Sequence, residues 1–351
     1  MRRSGIACGP PTCGAPWART NGWSLRLRVA AVIDRFQRHV TYLRISVTDR
    51  CQMRCAYCSL PSKPQPTLSA AELKLIVGVA VERLGFRKVR LTGGEPLLRR
   101  DLPEIIAGLA DLAGMREVAV TTNGLALAER AGELAAAGLR TVNISCDSLR
   151  PARFRKLAGA GQLEDVLAGL NECRRVGIPN LKVNVVLMGG VNDDEIEDFV
   201  DFAAREKVEV RFIEQMPLDS QGSGQSGAAL DPAAIMERLF ARSTLEPLPA
   251  SKAGGPAERY SIDGAVVGFI RAISGPFCDR CNRLRITSDG KIRSCLLTGG
   301  DVDLAQAVRT AGDDGERAER IERLLRQAAD SKPALYELQR EGAIRMREIG
   351  G

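Results

Sequence analysis

Leu43-Arg44-Ile45-Ser46-Val47-Thr48-Asp49-Arg50-Cys51-Gln52-Met53-Arg54-Cys55-Ala56-Tyr57-Cys58 begins as a β-branched run and ends on three cysteines spaced C-x3-C-x2-C. The first part predicts a strand over Leu43–Val47, and the second sets three thiolates just beyond its end. Three such ligands can wrap one face of an iron–sulfur cube and leave one iron without a protein ligand. An open coordination position separates a reactive metal site from a closed structural one. Ligation by cysteine alone also admits a zinc site, or a cluster completed by a ligand from elsewhere.

Outward from this stretch the chain alternates short β-branched runs with helical patterns, the signature of βαβ units around a parallel sheet. Further strands are predicted at Lys88–Leu91, Glu117–Val120, Thr141–Ser145, Leu181–Leu187 and Glu209–Glu214. Ser69 with Glu72 reads as a capping box before a helix whose apolar face carries Leu73, Ile76, Val77, Ala80 and Leu84. Asn192 with Glu195 repeats the capping signal. Six strand–helix repeats predict an α/β fold, a partial (β/α)6 TIM-like barrel, with a doubly wound open sheet as the alternative. Residues 219–229 are Gly- and Ser-rich and read as a loop. Asp231 and Pro232 read as the cap and first turn of a helix.

After residue 255 the pattern turns hairpin-like, with strands at Arg259–Ile262, Ala265–Ile273, Arg283–Thr287 and Lys291–Ser294. Ser288-Asp289-Gly290 makes the turn between the last two. A smaller C-terminal α+β region is therefore expected. The resulting division is a disordered tail over 1–30, a barrel over 31–225 and a C-terminal cluster-binding region over 226–351.

Composition narrows the function classes. A hydrophobic share of 44% allows a core of ordinary size, while 4% aromatic residues argue against a base-stacking nucleic-acid platform. A net charge of +7 over 351 residues suits an anionic small molecule. Ten cysteines beside one histidine point to thiolates that bind metal in a reducing compartment, and hence to a cytoplasmic protein. No apolar run approaches the roughly 20 residues of a membrane helix. Met1 to Trp23 lacks the compact apolar segment of a secretory leader and reads as a disordered tail or as the product of a start codon upstream of the natural one.

A second triplet, Cys278, Cys281 and Cys295, has C-x2-C-x13-C spacing and again no local fourth ligand. It reads as a second open cluster whose free iron takes a substrate nitrogen or oxygen. The alternative is a zinc ribbon that borrows Cys146 or Cys173. Arg283 and Arg285 place two guanidiniums beside it, suited to phosphate or a purine edge. Lys182 and Asn184 share the polar side of a strand whose other side is Leu181, Val183, Val185 and Leu187. A lysine there serves a barrel lumen or snorkels to solvent. Cys8, Cys13, Cys146 and Cys173 read as non-ligands.

The C-x3-C-x-Tyr-C stretch, together with Gly93-Gly94-Glu95-Pro96 at the end of the next strand, resembles the radical S-adenosylmethionine (SAM) superfamily. In that superfamily SAM chelates the open iron, and the glycines would let flat backbone approach its amino group. Within it the chain is similar to the GTP 3′,8-cyclases of molybdenum-cofactor biosynthesis (the MoaA type). The likeness runs through Leu43–Arg50, Leu91–Leu97, Thr121-Thr122-Asn123-Gly124, Cys278–Arg285 and the terminal Ile349-Gly350-Gly351.

The resemblance implies two [4Fe-4S] clusters, on Cys51, Cys55 and Cys58 and on Cys278, Cys281 and Cys295. It implies SAM contacts from Tyr57, Gly93, Gly94, Glu95, Ser145 and Met216. GTP contacts are implied for Arg44, Arg90, Thr121, Lys182, Arg211, Arg283, Leu284 and Arg285, with Leu284 lending backbone. Arg283, Arg285, Gly350 and Gly351 are the implied catalytic set. A reductant, a homodimeric assembly and a downstream cyclic pyranopterin monophosphate synthase are the implied partners, with no membrane or nucleic acid among them. The rival expectations are a peptide-modifying radical SAM enzyme and a non-enzymatic Fe–S or zinc module that binds nucleic acid. Gln52 and Ser59-Leu60-Pro61 depart from the family pattern beside ligands rather than at them, and the histidine common upstream of the tail is absent near Ala334.

Overall fold

The computed structural model describes residues 31–58, 66–216, 230, 232–250, 255–296 and 302–334. A short antiparallel hairpin, β1 (Val32–Ile33) and β2 (His39–Val40), leads into the main sheet. There β3 (Tyr42–Ser46), β4 (Lys88–Thr92), β5 (Glu117–Thr122), β6 (Thr141–Ser145), β7 (Asn180–Leu187) and β8 (Glu209–Glu214) lie side by side in chain order, every pair parallel. Each falls within a residue or two of the strand read from its β-branched run. Parallel neighbours need crossovers, and the helices supply them. They are α1 (Ala70–Glu82), α2 (Leu102–Ala110), α3 (Leu127–Ala136), α4 (Pro151–Ala158), α5 (Leu163–Arg175) and α6 (Ile196–Glu206).

The rest of the chain adds α7 (Pro232–Arg242), β9 (Glu246–Leu248), β10 (Glu258–Ile262), β11 (Ala265–Ile270), β12 (Arg283–Ile286), β13 (Lys291–Arg293), β14 (Val302–Asp303), α8 (Leu304–Arg309) and α9 (Asp314–Asp330). The two predicted hairpins form, β10 with β11 and β12 with β13. They also continue the main sheet: β11 runs parallel to β8 at one end, and β12 runs parallel to β3 at the other. The order is β14-β13-β12-β3-β4-β5-β6-β7-β8-β11-β10-β9, and the sheet does not close. It is a partial barrel.

The two faces of the sheet differ in chemistry. Leu43, Ile45, Val89, Leu91, Val183 and Val185 are at or near zero exposure and pack against the helices, where Leu73, Ile76, Val77 and Ala80 of α1 are equally buried. The opposite face is polar. Register puts Arg285, Arg44 and Arg90 in one row across β12, β3 and β4, and Asn184 beside Arg211 across β7 and β8.

The capping box of α1 forms: Glu72 N donates to Ser69 Oγ at 3.2 Å, and Ser69 N donates to Glu72 Oε2 at 2.7 Å. The second predicted cap does not. Neither Asn192 nor Glu195 makes a side-chain cap bond. Both are fully buried instead. Asn192 donates to the carbonyls of Asp147 and Val186, and Glu195 accepts from Ser148 Oγ and Leu149 N, both at 2.7 Å. Buried strand-end groups elsewhere claimed these side chains, because an unpaired buried polar group costs more than an exposed helix end. Pro232 begins α7 as expected, while Asp231 lies outside the described residues. The strand expected over Ala265–Ile273 stops at Ile270, where its pairing with β8 ends.

Candidate active site

The loop after β3 carries the first triplet, and the turn after β4 holds that loop down. Gly94 N donates to Thr48 O at 2.8 Å, and Glu95 N donates to Arg50 O at 2.7 Å. A Cβ on Gly93 would lie 2.3 Å from Thr48 O, and one on Gly94 would lie 2.2 Å from Arg50 O. Gly93 also sits at φ +148°. The expected reason for these glycines was approach to a cofactor; what presses on them here is the backbone of the cysteine loop. Glu95 is 1% exposed and already committed, accepting from Leu97 N, Thr122 Oγ1 and Asn123 N. It ties the turn to the end of β5.

The six triplet cysteines line one chamber of about 350 Å³, within the size range of small-molecule sites. Tyr57, Gly93, Gly94, Glu95, Ser145, Met216, Arg44, Arg90, Thr121, Arg211, Arg283 and Arg285 line it too. Two expected contacts stand apart. Leu284 has its side chain fully buried on the apolar face, and Lys182 is not in the lining. Lys182 is no solvent-seeking lysine either: it is 7% exposed, with its ammonium 4.0 Å from Glu209. Gly350 and Gly351 lie outside the described residues, as do Cys8, Cys13 and Ser59-Leu60-Pro61. Cys146 and Cys173 are buried and do not line the chamber, which leaves no borrowed fourth ligand from them.

Charge in the chamber is crowded. Burial, then the nearby Arg285, holds Arg44 well below the ordinary arginine value. Burial and Arg283 bring Arg285 down to about 10, and burial and Arg211 bring Lys182 down to about 8. The Nε atoms of Arg44 and Arg90, Oδ1 of Asn184 and Oε1 of Gln215 are buried without a hydrogen-bond partner. Such atoms are rare unless a ligand answers them. An anionic, polar ligand would relieve both the repulsion and the orphaned groups.

Cys281 stands apart from its neighbours, since burial raises the thiol of Cys278 in the same triplet. Burial pushes the thiols of Cys51, Cys55 and Cys58 up, Cys58 to about 11. Burial acts the same way on Cys281, but Arg283 and Lys332 outweigh it and bring that thiol down to about 6. Thiolates are the ligands of iron–sulfur clusters, and metal binding displaces the protons of the others. Among the described residues no three His, Cys, Asp or Glu side chains stand close enough to cage a single ion. The fit to clusters therefore rests on the all-cysteine donor sets and the chamber they share.

Three groups were given no role by the sequence, although Asn123 lies in one of the motifs quoted above. Asp147, two residues past Ser145, accepts from Tyr57 Oη at 2.7 Å and from Val186 N at 2.8 Å. Asn123 donates to Cys51 Sγ at 3.8 Å. Lys332 donates to Cys281 Sγ at 3.5 Å. The first two sit just past strand ends, on the rim where barrel sites form, and that rule could have found them. Lys332 carries no local signal.

Residues 45–203 match the Radical SAM superfamily profile, and residues 208–338 match that of Molybdenum Cofactor Synthesis C. The chain is 40% identical over 331 residues to a GTP 3′,8-cyclase of Peptoclostridium acidaminophilum, covering 92% of this chain and 99% of the relative. It is 41% identical over 337 residues to one of Heliobacterium modesticaldum, covering 91% and 100%. Among solved structures, Streptococcus suis SuiB bound to S-adenosylmethionine superposes with a TM-score of 0.58 at 16% identity, over 75% of this chain and 63% of SuiB, a likeness of fold. With its two profiles in tandem and relatives matched from end to end, the chain belongs to the GTP 3′,8-cyclase family of radical SAM enzymes.

Proposed function

We propose that this chain converts GTP to (8S)-3′,8-cyclo-7,8-dihydroguanosine 5′-triphosphate, the first step of molybdenum cofactor biosynthesis, as a lyase. The observation that carries the reading is a single chamber lined by both cysteine triplets and by the guanidiniums of Arg44, Arg90, Arg211, Arg283 and Arg285. Cys51, Cys55 and Cys58 would hold one [4Fe-4S] cluster with SAM, and Cys278, Cys281 and Cys295 a second. When bound, these groups supply a carbon-centred radical from SAM and an iron that takes the nucleotide.

The chain's own residues do the rest. Arg283, Arg285, Arg44 and Arg90 offer paired donors that phosphate oxygens match. Their low hydration and fixed planes orient the nucleotide without shifting a proton. Thr121 and Ser145 add hydroxyls at strand ends. Tyr57, held by Asp147, fixes the cysteine loop against the chamber wall. The apolar share of the wall, with Met53, Phe154, Val186 and Phe277, keeps water from a radical that would otherwise react with it. Lys182 acts from beneath, through the field of the chamber, and Leu284 through its backbone. Gly350 and Gly351 belong to the same catalytic reading.

A reductant that delivers single electrons, a homodimeric assembly, a cytoplasmic location and a downstream cyclic pyranopterin monophosphate synthase complete the proposal. Among the described residues no helix is long and apolar enough to cross a membrane. Anaerobic incubation of the reconstituted chain with GTP, SAM and dithionite should yield 5′-deoxyadenosine and the cyclised nucleotide together. Release of 5′-deoxyadenosine with GTP untouched would reassign the substrate. No 5′-deoxyadenosine at all would remove the enzyme reading.

A further inference from the structure

Lys332, just past α9, is 2% exposed. An ammonium has three donors, and here each finds an acceptor: Arg283 O at 2.8 Å, Ser294 O at 3.1 Å and Cys281 Sγ at 3.5 Å. Ser294 precedes Cys295, and Arg283 follows Cys281 by two residues. The single cation therefore pins both arms that bring these cysteines together.

The backbone on which Lys332 sits is fixed in turn. Arg38, anchored on the buried Asp34 at 2.5 Å, donates to Pro333 O at 3.0 Å, to Lys332 O at 3.4 Å and to Cys278 O at 2.9 Å. The turn of the β1–β2 hairpin, the end of α9 and the segments bearing Cys278, Cys281 and Cys295 thus meet at one point. Arg283 Nη2 also approaches Cys281 Sγ, at 3.8 Å, but Arg283 lines the chamber, where the proposed function gives it to the substrate. Lys332 is not in the lining. It acts on the site through that sulfur and the two backbone carbonyls.

We propose that Lys332 is a positioning residue for the second cluster, its ammonium donating to the ligating sulfur of Cys281 so as to lock the site and raise the cluster's reduction potential. This rests on reading Cys278, Cys281 and Cys295 as an iron–sulfur site. Reduction adds negative charge to the cluster. Hydrogen bonds to its sulfurs and a fixed cation nearby favour that state, and outer partners of this kind tune metal sites generally.

The test uses the full chain with Cys51, Cys55 and Cys58 replaced by Ala, so that only the second cluster forms, at about 4 iron per chain. EPR-monitored redox titration then compares it with the same background carrying Lys332→Met or Lys332→Arg. Lys332→Met should shift the one-electron equilibrium about tenfold toward the oxidised cluster, about 59 mV lower, and Lys332→Arg should restore most of the shift. Loss of iron in Lys332→Met with retention in Lys332→Arg also supports the proposal, since charge is then what locks the site. Full iron and an unchanged potential in Lys332→Met overturn it, as does loss of iron in both variants, which would make shape rather than charge the requirement. A background that takes up no iron instead sinks the reading of the second triplet, and the proposal with it.

Discussion

Asp147 links a strand end to the cysteine loop through one side chain, with Val186 N on one oxygen and Tyr57 Oη on the other. Burial raises its carboxyl from the ordinary 3.8 to about 6, against the lowering effect of both hydrogen bonds. Between those values the folded chain holds a proton that the unfolded chain has released. The stability contributed by that proton is complete below about pH 3.8 and is lost as pH rises through about 6. Asp147→Asn removes the titration. The gap in unfolding free energy between wild type and variant should therefore change by on the order of 3 kcal/mol from pH 3.8 to pH 7. Urea unfolding of the metal-free chain at several pH values measures it, and a gap that does not vary with pH contradicts this account. At this scale the two cysteine triplets and Arg283 and Arg285, all of which line the chamber, were legible as candidates, because their chemistry is announced by type and spacing. Asp147 was not singled out, because an acid at a strand end looks like any turn residue until its partners are seen.

Among the elements, the turn after β4 decides the first triplet. Its glycines were legible as a motif, but their physical task was not. Contact with the backbone of Thr48 and Arg50 depends on how two loops stack, which no local pattern states. With 2.2 Å between a Cβ on Gly94 and Arg50 O, Gly94→Ala must push the cysteine loop aside. Overpacking of this kind costs about 1–3 kcal/mol. The variant should lose the first cluster and keep the second, so that iron falls to about half that of wild type. Iron analysis with a thermal melt checks it, and full iron retention would show that the loop tolerates the shift. The failed cap at Asn192 and Glu195 teaches the same lesson in reverse. The spacing was correct, but buried partners at Asp147, Val186 and Ser148 outbid an exposed helix end.

For the molecule as a whole, the chamber needs both halves of the chain: β3 to β8 supply one wall, and the segments around β11 and β12 supply the other. Anaerobic reconstitution should give about 8 iron per chain. Replacing Cys51, Cys55 and Cys58 by Ala should leave about 4 and abolish 5′-deoxyadenosine release. Replacing Cys278, Cys281 and Cys295 should also leave about 4, yet permit SAM cleavage while GTP stays unconsumed. Zinc in place of half the iron would defeat the two-cluster reading.

What the sequence determined by itself is local: the alternation of strands and helices, the capping box of α1, and two sets of thiolates spaced to share a metal cluster. Each depends on neighbours close along the chain, with successive cysteines of a triplet no more than fourteen residues apart, where chain geometry limits the choice. What only the tertiary structure decided is which distant pieces face one another. The parallel pairing of β12 with β3 and of β11 with β8, the joining of both triplets in one cavity, and the burial of Lys332 against Cys281 are long-range contacts. Their energies come from packing and desolvation across the fold, and no spacing along the chain encodes them.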